Sequence, residues 1–112
     1  MERCLALIPE FPNLYTDISS LTQVNKLGFL SRLLRHQEAH DRLLYGTDMP
    51  LINTALVSPW YFAFNLTPRQ MWRLSRERNT FDRDVLLKQA LGVPAAAFTR
   101  PAALLALPPS AP

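Results

Sequence analysis

The stretch Asp41-Arg-Leu-Leu-Tyr-Gly-Thr-Asp-Met-Pro50 decides how this chain is read. Residues 42–47 form a short apolar run that ends in Gly-Thr-Asp-Met-Pro. A run of that length, closed by turn residues, predicts a buried strand leading into a sharp turn. Alternation then puts Leu44, Gly46 and Asp48 on one face. That face shows an apolar side chain, no side chain, and a carboxylate. Gly46 leaves room beside Asp48 for a metal, a water or a substrate, and Pro50 stiffens the exit.

Working outward, residues 13–19 (Asn-Leu-Tyr-Thr-Asp-Ile-Ser) alternate with period two. Leu14, Thr16 and Ile18 fall on one face, and Tyr15, Asp17 and Ser19 on the other, which predicts a second strand. Between the two, Ser20-Leu-Thr-Gln23 has the form of a capping box. Leu21, Val24, Leu27, Leu30, Leu33 and Leu34 then recur at helical spacing to about Gln37. Gly28 inside that run predicts close packing on a neighbour. Strand, helix and strand in about 35 residues make a βαβ unit, which is right-handed and parallel. Residues 2–8 read as a helix that Pro9 terminates.

Downstream, Trp60, Tyr61, Phe62 and Phe64 make an aromatic segment, either a substrate cover or core. Thr67-Pro-Arg-Gln70 opens a helix to about Arg78, with Thr at the N-cap, Pro at N1 and Gln at N3. Asp82 is expected to cap a further helix over residues 83–91. Gly92 would follow as its C′ residue, and Pro94 would start one more helical turn.

The 112 residues are 48% hydrophobic and 19% charged, which fits one globular domain. Residues 1–107 read as that domain and residues 108–112 as a Pro-rich tail. The length falls well below the roughly 250 residues of a complete eight-stranded β/α barrel. A net charge of +3 does not argue for a nucleic-acid partner. Cys4 is the single cysteine, so no internal disulfide framework is possible. No apolar run reaches about 18 residues, so no spanning helix is predicted. The N-terminus lacks the pattern of a signal peptide, and the cytoplasm is the expected compartment.

Several residues invite chemistry. Asp48 sits at the carboxyl end of a predicted parallel strand, the edge where α/β folds bind ligands; its other reading is a turn cap. Asp17 is a second strand-end carboxylate, read chiefly as a local hydrogen-bonding partner. His36 and His40 stand at i and i+4, the spacing of zinc-binding helices. Glu38, however, is one place late for the protease pattern, and a solvated helix end is the preferred reading. Arg69, Arg73 and Arg76 form a basic stripe at i, i+4 and i+7, taken as a solvated face with Trp72 turned to the core.

Pro12-Asn-Leu-Tyr-Thr-Asp-Ile-Ser19, the intervening helix and residues 41–50 together resemble the last part of the amidohydrolase-related, metal-dependent hydrolases. In that family the penultimate strand often reads Pro-Asn-Val-Tyr-x-Asp-x-Ser, and the eighth Arg-Ile-Leu-Phe-Gly-Ser/Thr-Asp-x-Pro. Arg78-Asn-Thr-Phe-Asp-Arg-Asp and Ala90-Leu-Gly-Val-Pro94 are similar to its helical tail. The resemblance covers residues 5–100, and Gly-Thr-Asp-Met-Pro is its most specific element.

It implies an α/β chain that is part of a TIM-type (β/α)8 barrel: two parallel strands, flanking helices and a helical C-terminal extension. It also implies that Asp48 is the catalytic and metal-site aspartate, acting on a small-molecule substrate by hydrolysis or non-oxidative decarboxylation. The metal, zinc by preference, is held in that family also by a His-x-His pair and two later histidines on strands this sequence does not contain. His36 and His40 precede the last strand and do not replace them. The chain is therefore expected to be inactive alone, to bind no metal by itself, and to need a complementing N-terminal barrel part. No nucleic-acid or membrane partner is implied. The alternative is a non-catalytic module that forms a homo-oligomer or docks on a partner through open sheet edges and the aromatic segment.

Overall fold

The structure is a computed structural model that describes residues 2–47 and 58–106. Asp48, Met49, Pro50, Leu56, Val57 and the tail 108–112 lie outside the described residues. The fold is mixed α/β. In order come α1 (Glu2–Leu7), β1 (Thr16–Asp17), α2 (Phe29–Leu33), β2 (Leu43–Leu44), α3 (Pro68–Arg76), α4 (Thr80–Ala90) and α5 (Ala96–Leu104). Short 3-10 turns stand at Val24–Lys26, Gln37–Arg42 and Pro59–Phe62.

β1 and β2 pair in parallel, with Thr16 opposite Leu43 and Asp17 opposite Leu44. The Ile18 N–H donates to the Leu44 carbonyl at 2.9 Å and extends the ladder. Both strands are shorter than their sequence patterns, yet the alternation holds. Ile18 and Leu43 are fully buried, in a core that also takes Leu30, Leu33, Val93 and Ala97. Each buried Leu, Ile or Val side chain there contributes about 1.5–3 kcal/mol. Phe62, Met71, Leu74 and Leu87 form a second core beneath α3 and α4, and Leu91 packs against both.

The long crossover helix expected over residues 20–37 is only α2. Two left-handed residues divide the segment: Ser20 at φ 58° and Gly28 at φ 86°. Ser20 is therefore not an N-cap; its hydroxyl accepts from Lys26 Nζ at 2.7 Å. A Cβ on Gly28 would meet nothing within 4 Å, so this glycine serves backbone conformation and not close packing.

The capping box before α3 forms as expected. The Gln70 N–H donates to Thr67 Oγ1 at 3.3 Å, and the Thr67 N–H to Gln70 Oε1 at 2.8 Å. α3 stops at Arg76, two residues short of Arg78. α4 is capped by Asn79, not Asp82: Asn79 Oδ1 accepts from the N–H groups of Phe81 and Asp82. Gly92 follows at φ 103°, the left-handed value a helix C-terminus favours.

α5 continues through Pro101. Proline has no N–H for the Ala97 carbonyl four residues back. That carbonyl instead accepts the Tyr45 N–H at 3.0 Å. Arg100 Nη1 donates to the carbonyls of Leu43 at 2.6 Å and His40 at 3.2 Å. Leu44 turns its backbone toward β1, so Leu43 and Tyr45 present theirs to the other edge. α5 thus covers the β2 edge that the sequence reading leaves open.

Candidate functional site at the carboxyl ends of the strands

Asp17 closes β1, and Gly46 lies just beyond β2. Asp17 Oδ1 accepts the Ser19 N–H at 2.6 Å. A Cβ built on Gly46 would stand 2.9 Å from that same oxygen and 3.0 Å from Ser19 Cβ. The missing side chain of Gly46 therefore makes room for the neighbouring strand's carboxylate. Gly46→Ala is expected to push Asp17 off Ser19 and to cost about 1–3 kcal/mol, the usual effect of overpacking. Urea unfolding measures it; an unchanged midpoint would mean that the carboxylate yields freely. Asp17 also lines a cavity of about 240 Å3 with Thr16, Leu21, Lys26 and Phe29. Asp48 follows Gly46 by two residues in the sequence and lies outside the described residues.

Behind β2 lies a charged cluster that the sequence reading missed. Lys88 is fully buried and Asp84 is 4% exposed. Lys88 Nζ donates to Asp84 Oδ2 at 2.9 Å and to the Gly46 carbonyl at 3.0 Å. It also stands 4.8 Å from the centre of the Tyr45 ring. The Tyr45 hydroxyl donates to Asp84 Oδ2 at 2.9 Å, and its ring packs on Phe98 with centroids 4.9 Å apart. α4 thereby holds the backbone at the end of β2. A signal existed in the sequence: Asp84, Leu87, Lys88 and Leu91 share one helical arc, so a charge pair at i and i+4 lies on the apolar stripe.

Burial and the Asp84 charge raise the Tyr45 hydroxyl above its ordinary value of 10.0. The unfolded chain releases this proton at the ordinary value while the folded chain keeps it. The stability Tyr45 contributes is therefore complete below pH 10.0 and is lost as the pH rises beyond it. Tyr45→Phe should show a shallower alkaline loss of stability than the wild type. Equal slopes in denaturant titrations from neutral to high pH would refute this.

The histidines do not come together. His36 precedes the 3-10 turn Gln37–Arg42, so it and His40 do not share a helical face. His36 Nδ1 lies 3.4 Å from Glu38 Oε1, while His40 Nε2 bonds the Leu34 carbonyl at 2.9 Å. A backbone hydrogen bond and His36 hold the Glu38 carboxyl below its usual range. Among the described residues no three His, Cys, Asp or Glu side chains group as metal ligands do.

Trp72 is a correction: it is 66% exposed and not turned to the core. In the aromatic segment Phe62 is core, whereas Trp60 and Phe64 face outward.

The class these features define is a mixed α/β fold with a parallel strand pair and a carboxylate at its carboxyl edge. No family model, curated protein or solved structure matches the chain. Among the described residues no helix is long and apolar enough to cross a membrane.

Proposed function

We propose that this chain carries the last two strands and the following helices of an amidohydrolase-related, metal-dependent hydrolase barrel. In this reading Asp48 is the site aspartate and the reaction is hydrolysis of a small molecule in the cytoplasm, with non-oxidative decarboxylation as the alternative chemistry. The metal is zinc, with its histidine ligands on other strands of the complete barrel. The described residues do not fit a metal by themselves, since Asp17 is a single carboxylate and catalytic zinc needs about three protein ligands.

The supporting observation is the parallel pairing of β1 with β2, with Asp17 packed against Gly46 at the carboxyl edge. That edge is where barrel enzymes place their chemistry. Closing a barrel would require the Tyr45 N–H and the Leu43 carbonyl to exchange α5 for a neighbouring strand. The number of backbone hydrogen bonds can be kept in that exchange.

The deciding experiment reads the coding DNA next to Met1 and expresses it joined to this chain. A stretch encoding a His-x-His strand and two later histidine strands, giving a zinc-binding protein, is the expected result. The lack of any such stretch would overturn the hydrolase reading. A second reading, a non-catalytic docking module, is favoured by a separate observation: Trp60 and Trp72 are both about two-thirds exposed, at 67% and 66%.

A further inference from the structure

Both tryptophans of the chain line one groove. It runs between the turn Pro59–Phe62 and α3 and measures about 480 Å3. Leu66 and Met71 form its floor, and Ala63, Pro68 and Ser75 complete its walls. On α3, positions 68, 72 and 75 face the groove, Arg69 and Arg76 follow on the adjoining arc, and Arg73 lies further round, in the cleft with α4. Arg76 lays its guanidinium over the Trp72 ring, 5.3 Å from its centre. α3 contains no acidic residue, and none of the three arginines is ion-paired among the described residues.

We propose that this groove docks an acidic amphipathic helix of a partner protein. The inference rests on the docking reading and deepens it; it is independent of Asp48. Three features select that occupant. The floor is apolar, and the charges that flank it on α3 are the cations Arg69 and Arg76, the latter lying over Trp72, so a complementary surface needs an apolar stripe flanked by carboxylates. From Pro68 to Ser75 is two helical turns, roughly 10 Å, which matches the i, i+4, i+7 anchors of a helix laid in a groove. Exposed Trp beside Arg is the composition of energetic hot spots.

Other occupants fit less well. A second copy meeting the same face would set one arginine stripe against another. A nucleic-acid strand stacks bases on free aromatic faces, and the Trp72 face already carries Arg76.

The test uses the full chain and two synthetic helical peptides with one shared Leu/Phe stripe. One carries Glu on its flanks, the other Lys. Tryptophan emission reports on the groove directly, because the chain's two tryptophans both lie there. The Glu peptide should shift the emission saturably and bind at least about tenfold more tightly than the Lys peptide at low salt, the difference shrinking as salt rises. Arg69→Glu with Arg76→Glu should reverse the preference, and Trp72→Ala should remove binding. Both variants change exposed side chains, and circular dichroism confirms that they fold.

Equal binding of the two peptides, binding of neither, or tighter binding of an oligothymidine would each overturn the proposal. A concentration-dependent dimer that Trp72→Ala dissolves would overturn the helix partner while leaving the docking reading standing. A monomer that binds neither peptide would end both.

Discussion

Asp84→Ala is expected to lower the unfolding free energy by about 3–5 kcal/mol, the usual cost of leaving one buried charge without its partner. Lys88, itself fully buried, would keep only the Gly46 carbonyl and the Tyr45 ring. Lys88→Met should cost a similar amount, because Asp84 would then be a buried carboxylate held by the Tyr45 hydroxyl alone. Either loss is a large part of the total stability of about 5–15 kcal/mol typical of a small domain. Asp84→Leu combined with Lys88→Met should cost less than either single change, since both charges leave together. Urea unfolding of the three variants measures this. Single-variant losses below about 1 kcal/mol would show that the pair is solvated, not buried.

In the barrel enzyme proposed above, Asp48→Asn is expected to reduce turnover to background. The acid–base share of a positioned carboxylate alone is about 10²–10⁴-fold. Asparagine keeps the shape but loses the charge and the basicity, so the folded state should be unaffected. Asp17→Asn is the companion variant. Its carboxylate is committed to the Ser19 N–H, so this change should appear mainly in stability and leave most of the turnover. Near-normal turnover by Asp48→Asn would remove Asp48 from the site. A greater loss for Asp17→Asn than for Asp48→Asn would transfer the role to Asp17, whose carboxylate borders the cavity of about 240 Å3.

The two outcomes separate structure from chemistry at one strand end. Lys88 fixes the Gly46 carbonyl from behind, and Asp17 packs on Gly46 from the neighbouring strand. Gly46 is thus held from two sides by side chains distant in sequence.

Local rules were enough for part of this fold. Period-two alternation in residues 13–19 placed Ile18 inward, and Thr67-Pro-Arg-Gln70 announced its own capping box, because both depend on residues within four positions of each other. Gly92 ended its helix for the same reason. The parallel strand pair was visible as well. Other features were decided only by tertiary structure. Helical spacing over residues 21–34 could not show that Ser20 and Gly28 turn left-handed and leave only α2. Asn79 took the N-cap from Asp82 by starting the helix three residues earlier. The gap at Gly46 was legible, but the carboxylate filling it belongs to Asp17 on another strand. Pro101 freed a carbonyl that sequence alone could not assign to Tyr45, nor could it show Lys88 buried against Asp84. Spacing along the chain specifies caps and alternating faces, because those partners are covalently near. Partners 39, 42 and 57 residues apart, as in Tyr45–Asp84, Gly46–Lys88 and Leu43–Arg100, are chosen by packing in three dimensions.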